Sequence, residues 1–405
     1  MAITFVIHEA SRTGAPRMGA LIARELGRYE PVRVIVMKDG PLTPWLTRTL
    51  DGLDLVICEQ DLSHTRLPFG ERLRIARELL EDDPADIVYV NSLAASVFAF
   101  AGAMSKRRTL LHVHEKIGEM RNLLNGDATK LETMRVTDAA LLAADDIRDD
   151  LVEVFGTLPP EVETFGVAVE VEAIRKAAAE PPEAAPLNNK GAPLKRGGRL
   201  VVGMCGSASA RKGVDIFVGV AAALPAHDFL WVGPWSLEEA PENIAFRDFA
   251  RSAPPNLYIT GAAENPYAYM AIMDLFFLSS REDPNPLVLA EALALNLPIL
   301  CFTQTTAIAD RLGRCAVVCH GEANIEDAAR ILAACSPDAV RGSAFRAAGE
   351  DFLADYDLNE KMTKVRNFIA RLRGEAAAAD QFVATEMESA SMRYLGQGVV
   401  ELTFS

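Results

Sequence analysis

The sequence predicts an α/β protein built from two Rossmann-like, doubly wound parallel-sheet domains. Short, continuously apolar runs alternate with helical patterns along most of the chain, which is typical of parallel strands buried on both faces. One stretch without periodicity, Ala177 to Gly198, interrupts this alternation. The 405 residues also exceed what one ordinary core contains, so two domains are expected.

The first domain is expected over residues 1–172. Its predicted strands are apolar runs bounded by small or polar residues, namely Ile3–Ile7, Val32–Met37, Leu53–Cys58, Asp86–Val90, Thr109–Val113 and Ala139–Ala143. Amphipathic stretches between them, such as Met18–Leu26 and Glu71–Leu80, predict the helices that cover the sheet.

A linker or exposed loop is expected over residues 173–198, where Ala, Pro, Glu, Lys and Gly predominate. The second domain is expected over 199–355. Its predicted strands are Leu200–Met204, Phe229–Val232, Leu257–Thr260, Leu275–Leu278, Ile299–Phe302 and Ala316–Cys319. Residues 356–373 are expected to form a helix that packs back on the first domain, and the pattern assigns no structure to 374–405.

Composition and charge exclude several classes of protein. The formal net charge of -15 argues against nucleic acid as a partner, because no basic excess exists to displace phosphate counterions. The longest apolar run, Leu93–Met104, is too short to span a bilayer, and no export leader is recognisable at the start. We therefore expect a cytoplasmic protein with at most peripheral contact with the inner face of the membrane. The basic run Ser105–Arg108 is the candidate for such contact, and the solvated start of a strand is the simpler interpretation.

The six cysteines are scattered along the sequence. Cys315 and Cys319, followed by His320, form the one close group. A zinc site would need a second Cys or His pair, so buried thiols are the preferred interpretation and no metal is expected.

Ligands of open α/β sheets bind outside the carboxyl ends of the strands. Glycine and polar residues of this sequence cluster at those ends in both predicted sheets. The two domains are therefore expected to face each other across a substrate-sized cleft.

Residues 279–300 are the most informative segment. Asn285 is a suitable N-cap and Pro286 suits the first position of a helix that is predicted to run to about Asn296. The first amides of this helix would form an anion site of the kind that binds phosphate.

Two carboxylates accompany that predicted helix. Asp283 precedes it and Glu291 lies in its second turn, where both can accept hydrogen bonds from the hydroxyls of a ribose or a hexose. An acidic residue that complements the helix dipole, together with a solvated glutamate, is the alternative interpretation.

Residues 203–224 form a small-residue loop followed by a helix. Gly206 lets the backbone approach a ligand closely, and Arg211 and Lys212 place two cations at the start of the helix. Cations there oppose the helix dipole, a cost that a bound diphosphate would offset; side chains that point to solvent are the alternative. Neither a P-loop nor a GxGxxG motif is present, which argues against an ATPase or a dehydrogenase.

Two segments of the first domain are further candidates. His114 lies at a strand end, where it can donate to a sugar hydroxyl or act as an acid or base near neutral pH. A structural histidine bonded to backbone is the alternative, and His112 is assigned to that role. Thr13 and Gly14 precede a helix and offer amides to a phosphate or a sugar.

Together these segments resemble the retaining glycosyltransferases of family 4, which have the GT-B fold. The resemblance extends over roughly residues 1 to 370 and is carried by order and spacing. Its most specific part is an acidic residue, seven intervening residues and a glutamate, from Asp283 to Glu291. The segment Arg211–Asp215 is similar to the Lys-Gly phosphate-binding turn of that family.

The resemblance implies a role for several of the candidate residues. Lys212 would bind the donor diphosphate with the amides near Leu287 and Val288, and Glu291 would hold the ribose. The expected sugar, phosphate and base contacts are Asp283, His114, Gly14, Gly206, Arg211, Ala262, Glu282 and Asn285. Asp283, His114 and Lys212 are the expected catalytic residues.

The implied reaction is retaining, metal-independent transfer of a hexose-type sugar from a nucleoside-diphosphate sugar. The acceptor would be a hydroxyl of a glycan or a lipid-linked molecule, in surface polysaccharide or glycoconjugate biosynthesis. Asp283 replaces the family's usual glutamate, and Ser207 stands near a usual arginine. These departures motivate one alternative, a catalytically weak GT-B-like binding or scaffold protein. A nucleotide-sugar epimerase is a second alternative.

Overall fold

The computed structural model describes residues 1–62, 66–124, 128–195, 197–235, 253–340, 343–374, 390–394 and 400–404. The chain forms two compact units, Met1–Gly166 with Asn359–Ser405, and Val167–Leu358. Each unit contains a largely parallel sheet with helices, which confirms the predicted class of two Rossmann-like α/β domains.

The sheet of the first unit consists of β1 (Ile3–Ile7), β2 (Val32–Val36), β3 (Asp54–Ile57), β4 (Ile87–Asn91), β5 (Arg108–Val113), β6 (Ala139–Leu142) and β7 (Glu161–Thr164). All its neighbours pair in parallel, in the order β3-β2-β1-β4-β5-β6-β7. The direction of winding reverses between β1 and β4, so this sheet has its topological switch point there.

The helices of the first unit are α1 (Gly14–Gly27), α2 (Thr43–Thr49), α3 (Phe69–Glu81), α4 (Val97–Met104), α5 (Ile117–Leu124) and α6 (Ile147–Phe155). Short 3-10 helices cover Leu93–Ala95 and Ala128–Met134. In α1 the buried residues Met18, Ile22 and Leu26 recur every four positions, which places one apolar stripe against the sheet.

The sheet of the second unit consists of β8 (Leu187–Asn188), β9 (Val201–Cys205), β10 (Asp228–Val232), β11 (Leu257–Ile259), β12 (Leu275–Phe277), β13 (Ile299–Phe302) and β14 (Ala316–Cys319). Its order is β14-β13-β12-β9-β10-β11-β8, with only the edge strand β8 antiparallel to its neighbour. The winding reverses between β9 and β12, which is the switch point of this sheet.

The helices of the second unit are α7 (Val171–Ala178), α8 (Val214–Ala223), α9 (Pro266–Met270), α10 (Leu287–Ala294), α11 (Ile325–Ala333), α12 (Pro337–Val340) and α13 (Ser343–Ala354). The last helix, α14 (Leu358–Gly374), lies on the first unit. Its Arg373 donates to Asp86 at 2.7 Å and to Glu30 at 2.6 Å, and its Lys361 donates to the carbonyl of Phe165 at 2.6 Å.

The predicted linker over residues 173–198 differs from the structure, which places most of α7 and all of β8 there. Ile174 of α7 is buried and Asn188 of β8 pairs with Tyr258. A single buried apolar residue in an Ala-rich helix produces no periodic signal, so composition alone suggested a loop. The units also divide at Gly166 rather than at residue 172.

Most of the tail over residues 374–405 lies outside the described residues. Its described part is an antiparallel pair, β15 (Ala390–Tyr394) and β16 (Val400–Phe404). Among the helices that the structure describes, none combines the length and the apolar character needed to cross a membrane.

The basic run Ser105–Arg108 is tied into the first unit. Arg107 donates to the carbonyl of Leu80 at 2.5 Å, and Arg108 pairs with Asp138 at 2.7 Å. Two of its three cations are therefore engaged by the protein itself, which favours the start of a strand over a membrane-contact site.

Candidate functional site

The two most informative sequence segments meet at the switch point of the second sheet. One follows β9 and the other follows β12, and these two strands are hydrogen-bonded neighbours. Arg281 N donates to the carbonyl of Arg211 at 2.8 Å, and Ser279 Oγ donates to the carbonyl of Lys212 at 2.9 Å. The topology therefore brings together most of the residues that the sequence analysis selected in this half of the chain.

Gly213 makes the close approach of these loops feasible. Its φ of 65° is left-handed, and a Cβ there would lie 1.9 Å from the carbonyl oxygen of Ser279. Only glycine adopts this φ readily and also leaves room for the Ser279 carbonyl oxygen. The residue that follows Lys212 is thus fixed directly against the end of β12.

Lys212 and Asp283 form an ion pair at this point. Their side chains are only 16% and 11% exposed, so the pair is well shielded from water. Asp283 N also donates to the carbonyl of Thr305 at 2.8 Å, which fixes its loop. The structure thus places the predicted phosphate-binding cation and the predicted sugar-binding acid in direct contact.

The helix after this loop begins later than the sequence indicates. It starts at Leu287 rather than Pro286, because Pro286 keeps an extended ψ of 118° and itself takes the N-cap position that was expected of Asn285. It ends at Ala294, since Asn296 adopts a left-handed φ of 58°. Within the described residues the amides of Leu287 and Val288 donate no hydrogen bond, so the helix still presents donors to an anion.

Glu291 is buried rather than solvated, at 5% exposure. Tyr267 Oη donates to its Oε1 at 2.7 Å. Tyr267 belongs to α9, which Asn265 caps by accepting from Ala268 N at 3.4 Å. Tyr267 was not among the predicted site residues, although the Asn-Pro start of a helix just after a strand marks this loop as part of the same sheet edge.

The other predicted contacts of this unit differ in exposure, and Asn285 is buried. Arg211 is exposed and donates to the carbonyl of Glu282 at 3.0 Å. Gly206 has a φ of 155° and lies against Gly233. A Cβ added at Gly233 would lie 2.3 Å from the carbonyl oxygen of Gly206. Ala262 is exposed, in the turn after β11.

A second ion pair joins the same two loops. Arg281 binds Asp215 through two contacts of 2.8 and 2.6 Å and donates to the carbonyl of Ala210 at 2.7 Å. The guanidinium lowers the pKa of Asp215, chiefly through these hydrogen bonds. This clamp was not found from the sequence, and it holds the turn that carries Lys212.

In the first unit the candidate residues also gather near a switch point. Asn91, at the end of β4, donates from Nδ2 to the carbonyl of Ala15 at 2.9 Å, and its Oδ1 lies 2.9 Å from His114 Nε2. The amide oxygen faces the ring, so Nε2 carries the proton and Nδ1 is the acceptor. Asn91 thereby links the start of α1, beside Gly14, to His114; the sequence analysis had not assigned it this role.

His112 and His114 of this unit are held neutral. Burial, with a contribution from His8, lowers the pKa of His114 to about 3, and burial lowers the pKa of His112 as well. His112 Nδ1 bonds the hydroxyl of Tyr89 at 2.9 Å, rather than backbone as expected. The structure therefore does not support acid–base catalysis by His114 near neutral pH and leaves it as a hydrogen-bonding group.

These pKa shifts predict that acid destabilises the first unit. The unfolded chain takes up a proton on histidine as pH falls through about 6.5, whereas the folded His114 does not, so stability is lost below that pH. We expect the free energy of unfolding to fall between about pH 7 and about pH 5, and to fall less in His114→Gln. Urea titrations at the two pH values measure this difference. An identical pH dependence in wild type and His114→Gln would contradict the assignment.

Part of the chain matches a known protein family. Residues 199–336 match the family of glycosyl transferases group 1. Over 104 residues, 25% of this chain, the sequence is 31% identical to the alpha-galactosylglucosyldiacylglycerol synthase of Streptococcus pneumoniae. That alignment spans 28% of the relative's length, well under a third.

Solved structures resemble the whole fold. Anabaena HepE in complex with UDP superposes with a TM-score of 0.70 at 15% identity, over 92% of this chain and 100% of that one. WaaG, a glycosyltransferase involved in lipopolysaccharide biosynthesis, superposes with a TM-score of 0.60 at 16% identity, over 91% and 99%.

The structural likeness shows that the fold is of the GT-B type. The family match falls on the unit that contains Lys212, Asp283 and Glu291.

Proposed function

We propose that this protein transfers a hexose-type sugar from a nucleoside-diphosphate sugar to a hydroxyl of a glycan or lipid-linked acceptor, with retention of configuration and without a metal ion. The observation that carries the proposal is the convergence of Lys212, Asp283 and the first amides of α10 at the switch point of the second sheet. That is where open α/β sheets bind their ligands. HepE, with the same fold, has been solved with UDP and with UDP-glucose, and the streptococcal relative is a glycolipid synthase.

The arrangement suits a diphosphate leaving group. Negative charge grows on the departing phosphate in the transition state, and a fixed ammonium with preorganised amides stabilises it. Lys212 and the amides of Leu287 and Val288 supply such charge from the protein itself. We therefore propose that the transfer needs no metal ion.

Asp283 and Glu291 would bind different parts of the donor. When a diphosphate takes over the Lys212 ammonium, the Asp283 carboxylate becomes available to accept sugar hydroxyls. Glu291, oriented by Tyr267, would accept the hydroxyls of the ribose. The roles of His114 and Gly14 in the first unit stay predictions.

Proton NMR tests the proposal directly. UDP-, GDP- and ADP-sugars are incubated with the protein in EDTA, with water as acceptor, and the anomeric proton of the released sugar is read before mutarotation. We expect one donor to release a sugar of unchanged configuration. An inverted product, or interconversion of the nucleotide sugar without release, would contradict it, and no release from any donor would favour the scaffold alternative.

The Arg281–Asp215 clamp predicts a second effect. Arg281→Ala should loosen the turn that carries Lys212 and raise the Kd for the nucleoside diphosphate by about five- to tenfold, since a bidentate ion pair orients what it joins. The exchanged pair Asp215→Arg with Arg281→Asp should recover part of that affinity. Calorimetric titration measures both.

Arg330→Ala is the matched control, because Arg330 pairs with Asp327 on the exposed side of α11 in the same unit. Equal affinity of wild type and Arg281→Ala would show that the clamp does not position Lys212.

A further inference from the structure

Ser92 has a backbone conformation that is rare outside glycine. It directly follows β4, at the switch point of the first sheet, and has a φ of 101° and a ψ of 142°. This lies close to a region of conformational space that is confined almost entirely to glycine, so a serine there is strained. Strained residues persist only where their surroundings hold them, and they concentrate at functional sites. The contacts of Ser92 therefore indicate which groups this conformation positions.

Ser92 is buried, at 1% exposure, and its polar atoms are all hydrogen-bonded. Its N donates to the carbonyl of His112 at 2.9 Å, and its own carbonyl accepts from Ala95 N at 3.0 Å. Its Oγ accepts from Ala94 N at 3.1 Å and donates to Glu115 Oε1. The residue after β4 is thus bound directly to β5 and to the loop that follows β5.

The Glu115 carboxylate joins the ends of these two strands. Its Oε2 accepts from Leu93 N at 3.3 Å, just after Ser92, and from His114 N at 3.0 Å, just after β5. A carboxylate can accept several hydrogen bonds at once, and hydrogen bonds to a charged group are stronger than those between neutral groups. Ser92 and Glu115 together therefore fix the spacing between the ends of β4 and β5.

Asn91 ends β4 and His114 follows β5, so this spacing sets the contact between them. Asn91 is fully buried; its Nδ2 donates to the carbonyl of Ala15, and its Oδ1 lies 2.9 Å from His114 Nε2. Gly19 leaves room for this amide, since a Cβ there would lie 2.6 Å from Nδ2. A flipped amide would turn its oxygen toward the Ala15 carbonyl, so Oδ1 must accept from His114 Nε2. In the neutral ring the remaining nitrogen, Nδ1, can only accept a hydrogen bond.

We propose that Ser92 and Glu115 are positioning residues for His114, and that His114 Nδ1 accepts a hydrogen bond from a hydroxyl of a bound sugar. Ser92 and Glu115 act through the ends of β4 and β5, which keep Asn91 Oδ1 on the Nε2 side of the ring. His114 would thus accept from the sugar, whereas the sequence predicts a donor. The identification of the ligand as a sugar rests on the proposed glycosyl transfer, while the position of the ring follows from the contacts of the first unit alone.

Heteronuclear NMR of protein with isotope-labelled histidine rings tests the positioning without any ligand. The His114 signals are those that disappear in His114→Gln. We expect wild type to show a proton on Nε2 that exchanges slowly with water, and none on Nδ1. Ser92→Ala and Glu115→Ala should lose that proton signal, because a loosened contact with Asn91 admits water. Glu115→Gln should keep it, since its Oε1 can accept from the two amides while its Nε2 donates to Ser92 Oγ.

Glu119→Ala is the matched control, because it removes an exposed carboxylate of α5 in the same unit and should leave the His114 signals as in wild type. Urea unfolding of each variant verifies that the first unit is folded. A proton on Nδ1 in wild type, or an Nε2 proton retained in both folded Ser92→Ala and folded Glu115→Ala, overturns the positioning.

Titration with UDP-glucose, GDP-mannose and ADP-glucose tests the sugar contact. A hydroxyl that donates to His114 should move the Nδ1 resonance upfield, whereas UDP, GDP and ADP, which carry no sugar, should leave it in place. Ser92→Ala and Glu115→Ala should release sugar about two- to tenfold more slowly, the usual effect of losing one hydrogen bond between neutral groups.

A nucleotide sugar that calorimetry shows to bind, and that leaves the Nδ1 resonance unmoved, overturns the sugar contact. If none of the three nucleotide sugars binds, the proposed function fails and the sugar contact fails with it. The Nε2 proton of the free protein still decides the positioning in that case, so the two failures are distinguishable.

Discussion

Replacement of Lys212 by alanine is expected to slow sugar transfer by about 10²- to 10³-fold, the usual effect of removing one preorganised group that stabilises charge in a transition state. The ammonium is the cation that the geometry aims at the leaving diphosphate. Its loss also leaves the shielded Asp283 carboxylate without its ion partner, so that a negative charge faces the incoming phosphates. The effect should appear in kcat at saturating donor.

Two further variants separate these contributions. Asp283→Asn in the Lys212→Ala background should restore donor binding but not the rate, because it removes repulsion without supplying a cation. Lys212→Arg keeps the charge and should retain part of the activity. Activity of Lys212→Ala within a few-fold of wild type would remove Lys212 from the mechanism.

Gly213→Ala is expected to lower the free energy of unfolding of the second unit by about 3 kcal/mol, and to abolish donor binding along with it. The left-handed conformation alone costs an alanine roughly 1–2 kcal/mol. The added Cβ must also displace the end of β12, since it would lie 1.9 Å from the Ser279 carbonyl oxygen. That displacement moves the neighbouring Lys212 away from its place. Urea unfolding and calorimetric titration measure the two effects.

Gly313→Ala is the matched control in the same unit. Gly313 has a φ of 50° and no atom within 4 Å of an added Cβ, so it tests the conformational cost without the collision. If both alanine variants lose the same stability, the contact between the loops contributes nothing.

The sequence predicts the fold well because buried parallel strands consist of continuous apolar runs. The prediction fails for elements with few buried residues, because these elements contain no continuous apolar run. Strand β7 ends with two exposed residues, Glu163 and Thr164, and β8 has only two residues, so neither shows the apolar run of a central strand. The start of α10 was misplaced because Pro286 satisfies the rule for a first helical residue while its own ψ is extended.

Some residues of the candidate site could likewise be predicted from the sequence, and others could not. Lys212 and Asp283 are recognisable because each lies in the loop after a strand, and Glu291 because it follows Asp283 at the spacing that carries the family resemblance. Tyr267 and Arg281 act on partners 24 and 66 positions away, and no local pattern encodes such a contact. The neutral state of His114 likewise depends on burial and on His8, which only the folded chain brings near it.

Calorimetric titration of UDP, GDP and ADP in EDTA, with wild type and Lys212→Ala side by side, tests the central claim most directly. We expect at least one nucleoside diphosphate to bind wild type without a divalent cation and to bind Lys212→Ala at least about tenfold more weakly, a difference of about 1.4 kcal/mol. Equal affinity of the two proteins, or no binding of any of the three to wild type, would contradict a metal-independent donor site at the switch point of the second sheet.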